Sequence, residues 1–230
     1  MPRISRIVAA GYPHHITQRG NYRQTVFTED ADYSRYLELM STFAPKYGLA
    51  IWAYCLMPNH VHFIGVPDRQ ESMARTFNTV HMLYAQYFNR KQQATGHLWQ
   101  GRFYSCVLDE QHLYAAVRYV ERNPVRAGIV STPQDYPWCS AGSHVTGAGD
   151  QLLSKCFLTE AVKDWGQYIG AEPEDPDRKA TADVIRATKA GRPCGEDGFV
   201  RKMESLLNRK LESRPRGRPL KKKREGEDEK

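Results

Sequence analysis

Residues 49–66 read LAIWAYCLMPNHVHFIGV, two apolar runs, Leu49 to Met57 and His60 to Val66, separated only by Pro58-Asn59. Runs of this length, rich in β-branched and aromatic residues, favour strands, and a Pro-Asn pair between them favours a tight reversal. The stretch therefore predicts a β-hairpin. Successive strand residues point to opposite faces, so His60 and His62 project together while Val61 turns into the other face. Two imidazoles on one face can grip one metal ion. An HxH alone most often marks two ordinary histidines, so the reading needs support from elsewhere in the chain.

Working outward, His14 to Arg19 reads as a strand ended by Gly20-Asn21. Between it and the hairpin, Tyr33, Leu37, Met40, Ala44 and Tyr47 recur at helical spacing, with Thr28 or Asp30 as the cap and Gly48 as the stop. Beyond the hairpin, Met73, Phe77, Val80, Tyr84 and Tyr87 mark one face of a helix over Glu71 to Asn89. Gly96 to Arg102 is a loop, Phe103 to Leu108 a short strand, and Asp109 caps a helix that runs to Asn123 before Pro124.

Strand, helix, two strands, helix, strand is the order of a ferredoxin-like split β-α-β fold. The expected class is α+β: an antiparallel sheet with helices on one face and the other face free for a ligand. The helix after the last strand can lie across that free face. On it Tyr119 and Asn123 sit one turn apart, beside the apolar stripe of Leu113, Val117 and Val120. Taken alone, Tyr119 is one of thirteen tyrosines and reads as a core edge; with the histidine pair it becomes a candidate.

The expected organisation is a first domain over residues 1–130, a helical C-terminal appendage over 131–212 and a charged tail over 213–230. Within the appendage, Leu158 to Trp165, Ala180 to Lys189 and Glu196 to Leu211 are helix candidates, the last with Phe199, Val200, Met203, Leu206 and Leu207 as a packing stripe. At 40% hydrophobic and 26% charged residues the 230-residue chain resembles neither a disordered nor a membrane protein. It has no run of about 20 apolar residues and no signal-peptide core at its start, which predicts a cytoplasmic, nucleoid-associated protein. Five cysteines without a CxxC pair argue against a disulfide framework or zinc cluster. A net charge of +7 points to a polyanionic partner. Four Arg and three Lys between Arg214 and Arg224, followed by four carboxylates to Glu229, place part of that charge in the tail.

Five stretches resemble the REP-associated tyrosine transposases, within the single-tyrosine HUH transposases: HHITQRGN (14–21), MPNHVHFI (57–64), LWQGRF (98–103), RYVERNPVRAG (118–128) and YPWCS (136–140). The resemblance implies a nuclease domain of ferredoxin-like fold, Mg²⁺ or Mn²⁺ held by His60, His62 and Asn123, and Tyr119 as nucleophile on single-stranded or hairpin DNA. It implies attack that leaves a 5′-phosphotyrosine and a free 3′-hydroxyl, with no nucleotide cofactor. Related insertion-sequence transposases exchange the tyrosine helix between two subunits, so a homodimer is the alternative to the monomer expected of the REP-associated group.

The chemistry suits these residue types. A tyrosine hydroxyl, with a pKa of about 10, is a weak nucleophile near neutrality and depends on alignment and on a Lewis acid at the phosphate. Arg19, Asn21, Arg23, Gln100, Arg102 and Arg126 flank the histidines or Tyr119 in sequence and are candidate DNA contacts. Trp99 stacks on a base or closes a core edge. His112, two turns before Tyr119, is a surface histidine or a proton acceptor. In the tail, Arg214, Arg216, Arg218, Lys221 and Lys222 resemble an AT-hook for the minor groove, or serve as general phosphate contacts. Two other classes compete. A non-catalytic nucleic-acid-binding module of the same fold would want sheet aromatics where the histidines stand. A replication initiator or relaxase shares the HUH chemistry, yet the chain has no phosphate-binding helicase loop, and relaxases place the tyrosine ahead of the histidines.

Overall fold

The computed structural model describes residues 6–172 and 174–211. Its first half runs β1 (His14–Arg19), α1 (Asp30–Lys46), β2 (Leu49–Met57), β3 (His60–Pro67), α2 (Ser72–Lys91), β4 (Tyr104–Val107) and α3 (Glu110–Glu121). A one-turn helix α4 (Asn123–Arg126) follows, then α5 (Ala141–Thr146), α6 (Leu158–Ala161), α7 (Trp165–Gly170), α8 (Asp175–Ala190) and α9 (Asp197–Leu207). The sheet order is β2-β3-β1-β4 with every pair antiparallel. This is the arrangement the element order predicts.

The hairpin turns at Pro58-Asn59, with Met57 opposite His60. Alternation then sorts the sheet. Ile16, Leu56, Val61 and Phe63 face α1 and α2 in one core, while Ala53, Cys55, Met57, Ile64 and Cys106 face α3, α7 and α8 in another. The face expected to stay open is therefore partly covered. The helices expected on one side occupy both, because α8 packs on β1, β4 and α3 instead of standing apart from the sheet.

Local differences have local causes. The cap of α1 is Glu29, not Thr28 or Asp30. The Asp32 carboxylate reaches back to accept from the Thr28 N–H (2.8 Å) and hydroxyl (2.7 Å), and Lys91 closes on it at 2.6 Å. Gly48 follows the helix with φ of +68°, a conformation open to glycine at little cost. A single helix over Leu158 to Trp165 breaks instead into α6 and α7, with Asp164 capping the second through the Gln167 N–H. The stripe of α9 packs through Met203, Phe199, Val200 and Leu207 against Ile7, Ala9 and Val107, while Leu206 stays exposed. Trp99 is core: it is buried, and its indole N–H donates to the His81 carbonyl at 3.2 Å.

Two histidines remote from the candidate site set a pH dependence. His14 donates from Nδ1 to the Tyr12 carbonyl (2.8 Å), and His81 pairs with the Tyr36 hydroxyl (2.9 Å). Burial pushes His14 down to about 4 and His81 down to about 3, against 6.5 for a free imidazole. As pH falls through 6.5 the unfolded chain binds protons that the native chain refuses until near pH 4 or below. Stability is thus full above pH 6.5 and declines between 6.5 and about 4. Urea midpoints measured at half-unit steps should fall in that window, and His81→Phe should flatten the slope. An unchanged midpoint from pH 7 to 4.5 would contradict it.

Candidate active site

Strand alternation sets the two histidines side by side. His60 and His62 lie on the same face of β3, and Val61 is fully buried on the other. On β1, Thr17 pairs with His62 and Arg19 with His60. His15, two residues before Thr17, shares their face and was not singled out in the sequence. Its Nε2 lies 3.0 Å from His62 Nδ1, and the two rings stack with centroids 5.2 Å apart.

The helix α3 brings Tyr119 to this face. Its ring stands edge-on to His62 at 5.4 Å and to His15 at 5.8 Å between centroids. The Arg126 guanidinium lies 4.8 Å over the same ring. Asn123, the first residue of α4, donates from Nδ2 to the Tyr119 carbonyl at 2.8 Å, which leaves its side-chain oxygen as an acceptor. His60 and His62 meet at 4.9 Å between ring centroids.

The electrostatics favour neutral imidazoles. Burial, with Arg19 adding to it, pushes His60 down to about 4. Burial likewise holds His62 well below the ordinary range, reinforced by His15, His60, Arg19 and Arg126. His60 uses Nδ1 on Asn59 Oδ1 at 2.6 Å and His62 uses Nδ1 on His15, so each keeps Nε2 as its remaining ring nitrogen. Neutral imidazole is the ligating form. Among the described residues no three His, Cys, Asp or Glu side chains group to hold a metal ion. The two imidazoles of His60 and His62 are therefore the pair of nitrogen donors this face offers.

The other candidates divide. Arg19 and Gln100 line a cleft of about 450 Å³ with His62, Tyr119 and Lys189, the last from α8. Arg126 lines a second cleft on the other side of Tyr119, near Arg118 and Arg178. Asn21 and Arg102 border a separate groove along α2. Arg23 is exposed on the turn after β1, where its carbonyl accepts from Asn59 Nδ2 at 3.2 Å. Gly20, at the root of that turn, has no room for a Cβ, which would meet the Gln24 carbonyl at 2.4 Å. His112 is engaged by Asp109, Nδ1 to Oδ1 at 2.7 Å, and borders a cleft that Tyr119 does not line. Arg214, Arg216, Arg218, Lys221 and Lys222 lie outside the described residues.

Two residues next to Tyr119 do work that the sequence did not disclose. The buried Glu121 carboxylate accepts from the Ser140 hydroxyl (2.6 Å), His144 Nδ1 (2.6 Å) and the Trp165 indole (2.7 Å). Arg122, also buried, donates to the Ile169, Gly170 and Ala171 carbonyls at the end of α7 and meets Glu172 at 2.5 Å. Together they tie the end of α3 to α5 and α7. Glu121→Gln keeps the shape but turns an NH₂ toward donors, so it should cost about 1–3 kcal/mol. Chemical denaturation checks this, and a loss below about 0.5 kcal/mol would contradict it.

Residues 9–123 match the family model described as "Transposase IS200 like". The chain belongs to the IS200-like transposase family. The match spans half of the chain and takes in β1 through Asn123, hence both histidines and Tyr119. This transposase is also similar to a protein of Haemophilus influenzae described as a REP-associated tyrosine transposase, 22% identical over 149 residues, covering 57% of this chain and 85% of the relative. Its fold matches a solved structure of a REP-associated tyrosine transposase bound to a REP hairpin, with a TM-score of 0.52 and 19% identity, covering 68% of this chain and 93% of that one. Among the described residues no helix is long and apolar enough to cross a membrane.

Proposed function

We propose that this transposase is a metal-dependent endonuclease and strand transferase for single-stranded, hairpin-forming DNA, with Tyr119 as its nucleophile. The observation that carries the reading is the placement of the Tyr119 ring edge-on to His62, beside His60 and under Arg126. A packing tyrosine has no need of that company.

Attack of Tyr119 Oη on phosphorus forms the Oη–P bond and breaks the bond to the 3′ oxygen. The phenolic proton leaves to solvent in the cleft, and the 3′ oxygen takes one up to become a free hydroxyl. The 5′-phosphotyrosine keeps the phosphodiester's energy, so a second 3′-hydroxyl can reverse the step and join strands without a nucleoside triphosphate.

The donor chemistry fits Mg²⁺ or Mn²⁺: His60 and His62 through Nε2, Asn123 through its amide oxygen, and open positions for phosphate. A divalent ion there would supply Lewis acidity at the scissile phosphate oxygen. Arg19, Gln100, Arg126 and Lys189 line the two clefts that meet at Tyr119 and suit a strand's phosphates on either side of the cut. The REP hairpin seen with the structural relative makes a hairpin from the DNA flanking this chain's own gene the substrate to try. In this reading each copy uses its own Tyr119, which the hydrogen bonds from α3 to α5 and α7 support without excluding a homodimer.

The test is incubation of 3′-labelled single-stranded hairpins with the protein and Mg²⁺ or Mn²⁺, followed by a denaturing gel. A labelled band at protein mobility, dependent on metal, is expected. DNA that binds across the set yet never becomes attached would replace this reading with a non-catalytic single-strand binder.

A further inference from the structure

The His15 ring lies between His62 and α8, a helix from the second half of the chain. Thr188 Oγ1, on α8, is 2.7 Å from His15 Nδ1, 2.7 Å from the Val184 carbonyl and 3.1 Å from Cys106 Sγ. On its other side His15 Nε2 is 3.0 Å from His62 Nδ1. His15, Thr188, Cys106 and His62 are all buried.

The direction of this chain of hydrogen bonds follows from counting protons. A carbonyl can only accept, so the single hydroxyl proton of Thr188 goes to Val184. Its oxygen must then accept from His15, which puts the His15 proton on Nδ1. A neutral imidazole has one donor nitrogen and one acceptor, so His15 Nε2 accepts, and the donor facing it is the Nδ1–H of His62. The Cys106 thiol can fill the second lone pair of Thr188 without disturbing the order.

We infer that Thr188 and His15 are positioning residues that hold His62 in its Nδ1–H tautomer, so that its Nε2 lone pair is free to ligate the ion. The relay is assembled from β1, β3 and α8, and α8 thereby takes part in preparing a residue 126 positions earlier in the chain. The outer partner of a ligating histidine commonly fixes its tautomer and ring orientation. His60 has its own such partner in Asn59, on the adjacent turn. The inference rests on the proposed metal role of His62, but its first readout needs no metal.

Long-range ¹H–¹⁵N correlation spectra of the metal-free full chain report which ring nitrogen of each histidine carries the proton. The wild type should show His62 and His15 both protonated on Nδ1. Thr188→Val keeps the side-chain shape and removes the acceptor, so His15 should move its proton to Nε2 and donate it to His62, which then carries its own on Nε2. Mn²⁺ affinity should fall about 10- to 100-fold in that variant. Thr188→Ser should restore both the tautomer and the affinity. An Nε2–H tautomer of His62 in the wild type overturns the inference outright and needs no variant to fold. An unchanged His62 tautomer in a folded Thr188→Val protein overturns it too. If the tautomers switch as expected but the wild type binds no Mn²⁺, the relay stands and the metal reading falls.

Discussion

Tyr119→Phe should abolish the covalent DNA adduct and lower cleavage by at least about 10³-fold, while leaving hairpin affinity within about two-fold. The substitution removes a single oxygen. The ring contacts to His15 and His62 and the Arg126 guanidinium over its face all depend on the aromatic ring, and the bond from Asn123 goes to the backbone carbonyl. The helix around it is held by Glu121 and Arg122, which the change does not touch. Binding and chemistry are therefore separable at this position. A 3′-labelled hairpin assayed on a denaturing gel, beside a filter-binding titration of the same DNA, reads both. Adduct formation by the phenylalanine variant at the parent rate would remove Tyr119 from its role.

His60→Ala and His62→Ala should each lose metal-stimulated cleavage by at least about 10²-fold. Val61→Ala, between them, should keep its metal response but lose about 1–3 kcal/mol of stability. The contrast comes from one strand. Val61 is fully buried against the α1 and α2 side, where truncation opens a cavity, while its neighbours face the Tyr119 side. Titrating Mn²⁺ into the cleavage assay, with thermal unfolding of all three variants in parallel, distinguishes the two effects. A Val61→Ala protein as inactive as the histidine variants at parental stability would mean the face assignment is reversed.

Much of the fold is legible in the sequence, and the reasons are local. The Pro58-Asn59 turn, the alternation through His60-Val61-His62 and the Asp109 cap each follow from rules that act within a few residues, and the strands, hairpin and α3 N-terminus fall where those rules put them. The missed residues depend on register. Alternation alone aligns His15 with Thr17 and Arg19, but only the pairing of β1 with β3 puts that face beside His62. Thr188 gives still less warning: a threonine in an amphipathic helix carries no mark of the strand it will meet. Glu121 and Arg122 carry no local mark of the buried partners that α5 and α7 bring to them. The covered second face has the same origin, since the docking of α8 is a tertiary event with no local signature.

If strands are exchanged as proposed, the fastening of α3 also bears on what has to move. Withdrawing Tyr119 together with its helix would strip the buried Glu121 carboxylate of three donors and the buried Arg122 guanidinium of three backbone carbonyls. Such a helix behaves as an anvil. On the proposed chemistry the two DNA ends would then do the travelling, with the released 3′-hydroxyl leaving and its successor arriving along the cleft that Arg19 and Lys189 line beside Tyr119. Turnover would then be paced by how readily the strand swivels within that channel, making hairpin length and single-strand slack next to the cut the natural controls on speed.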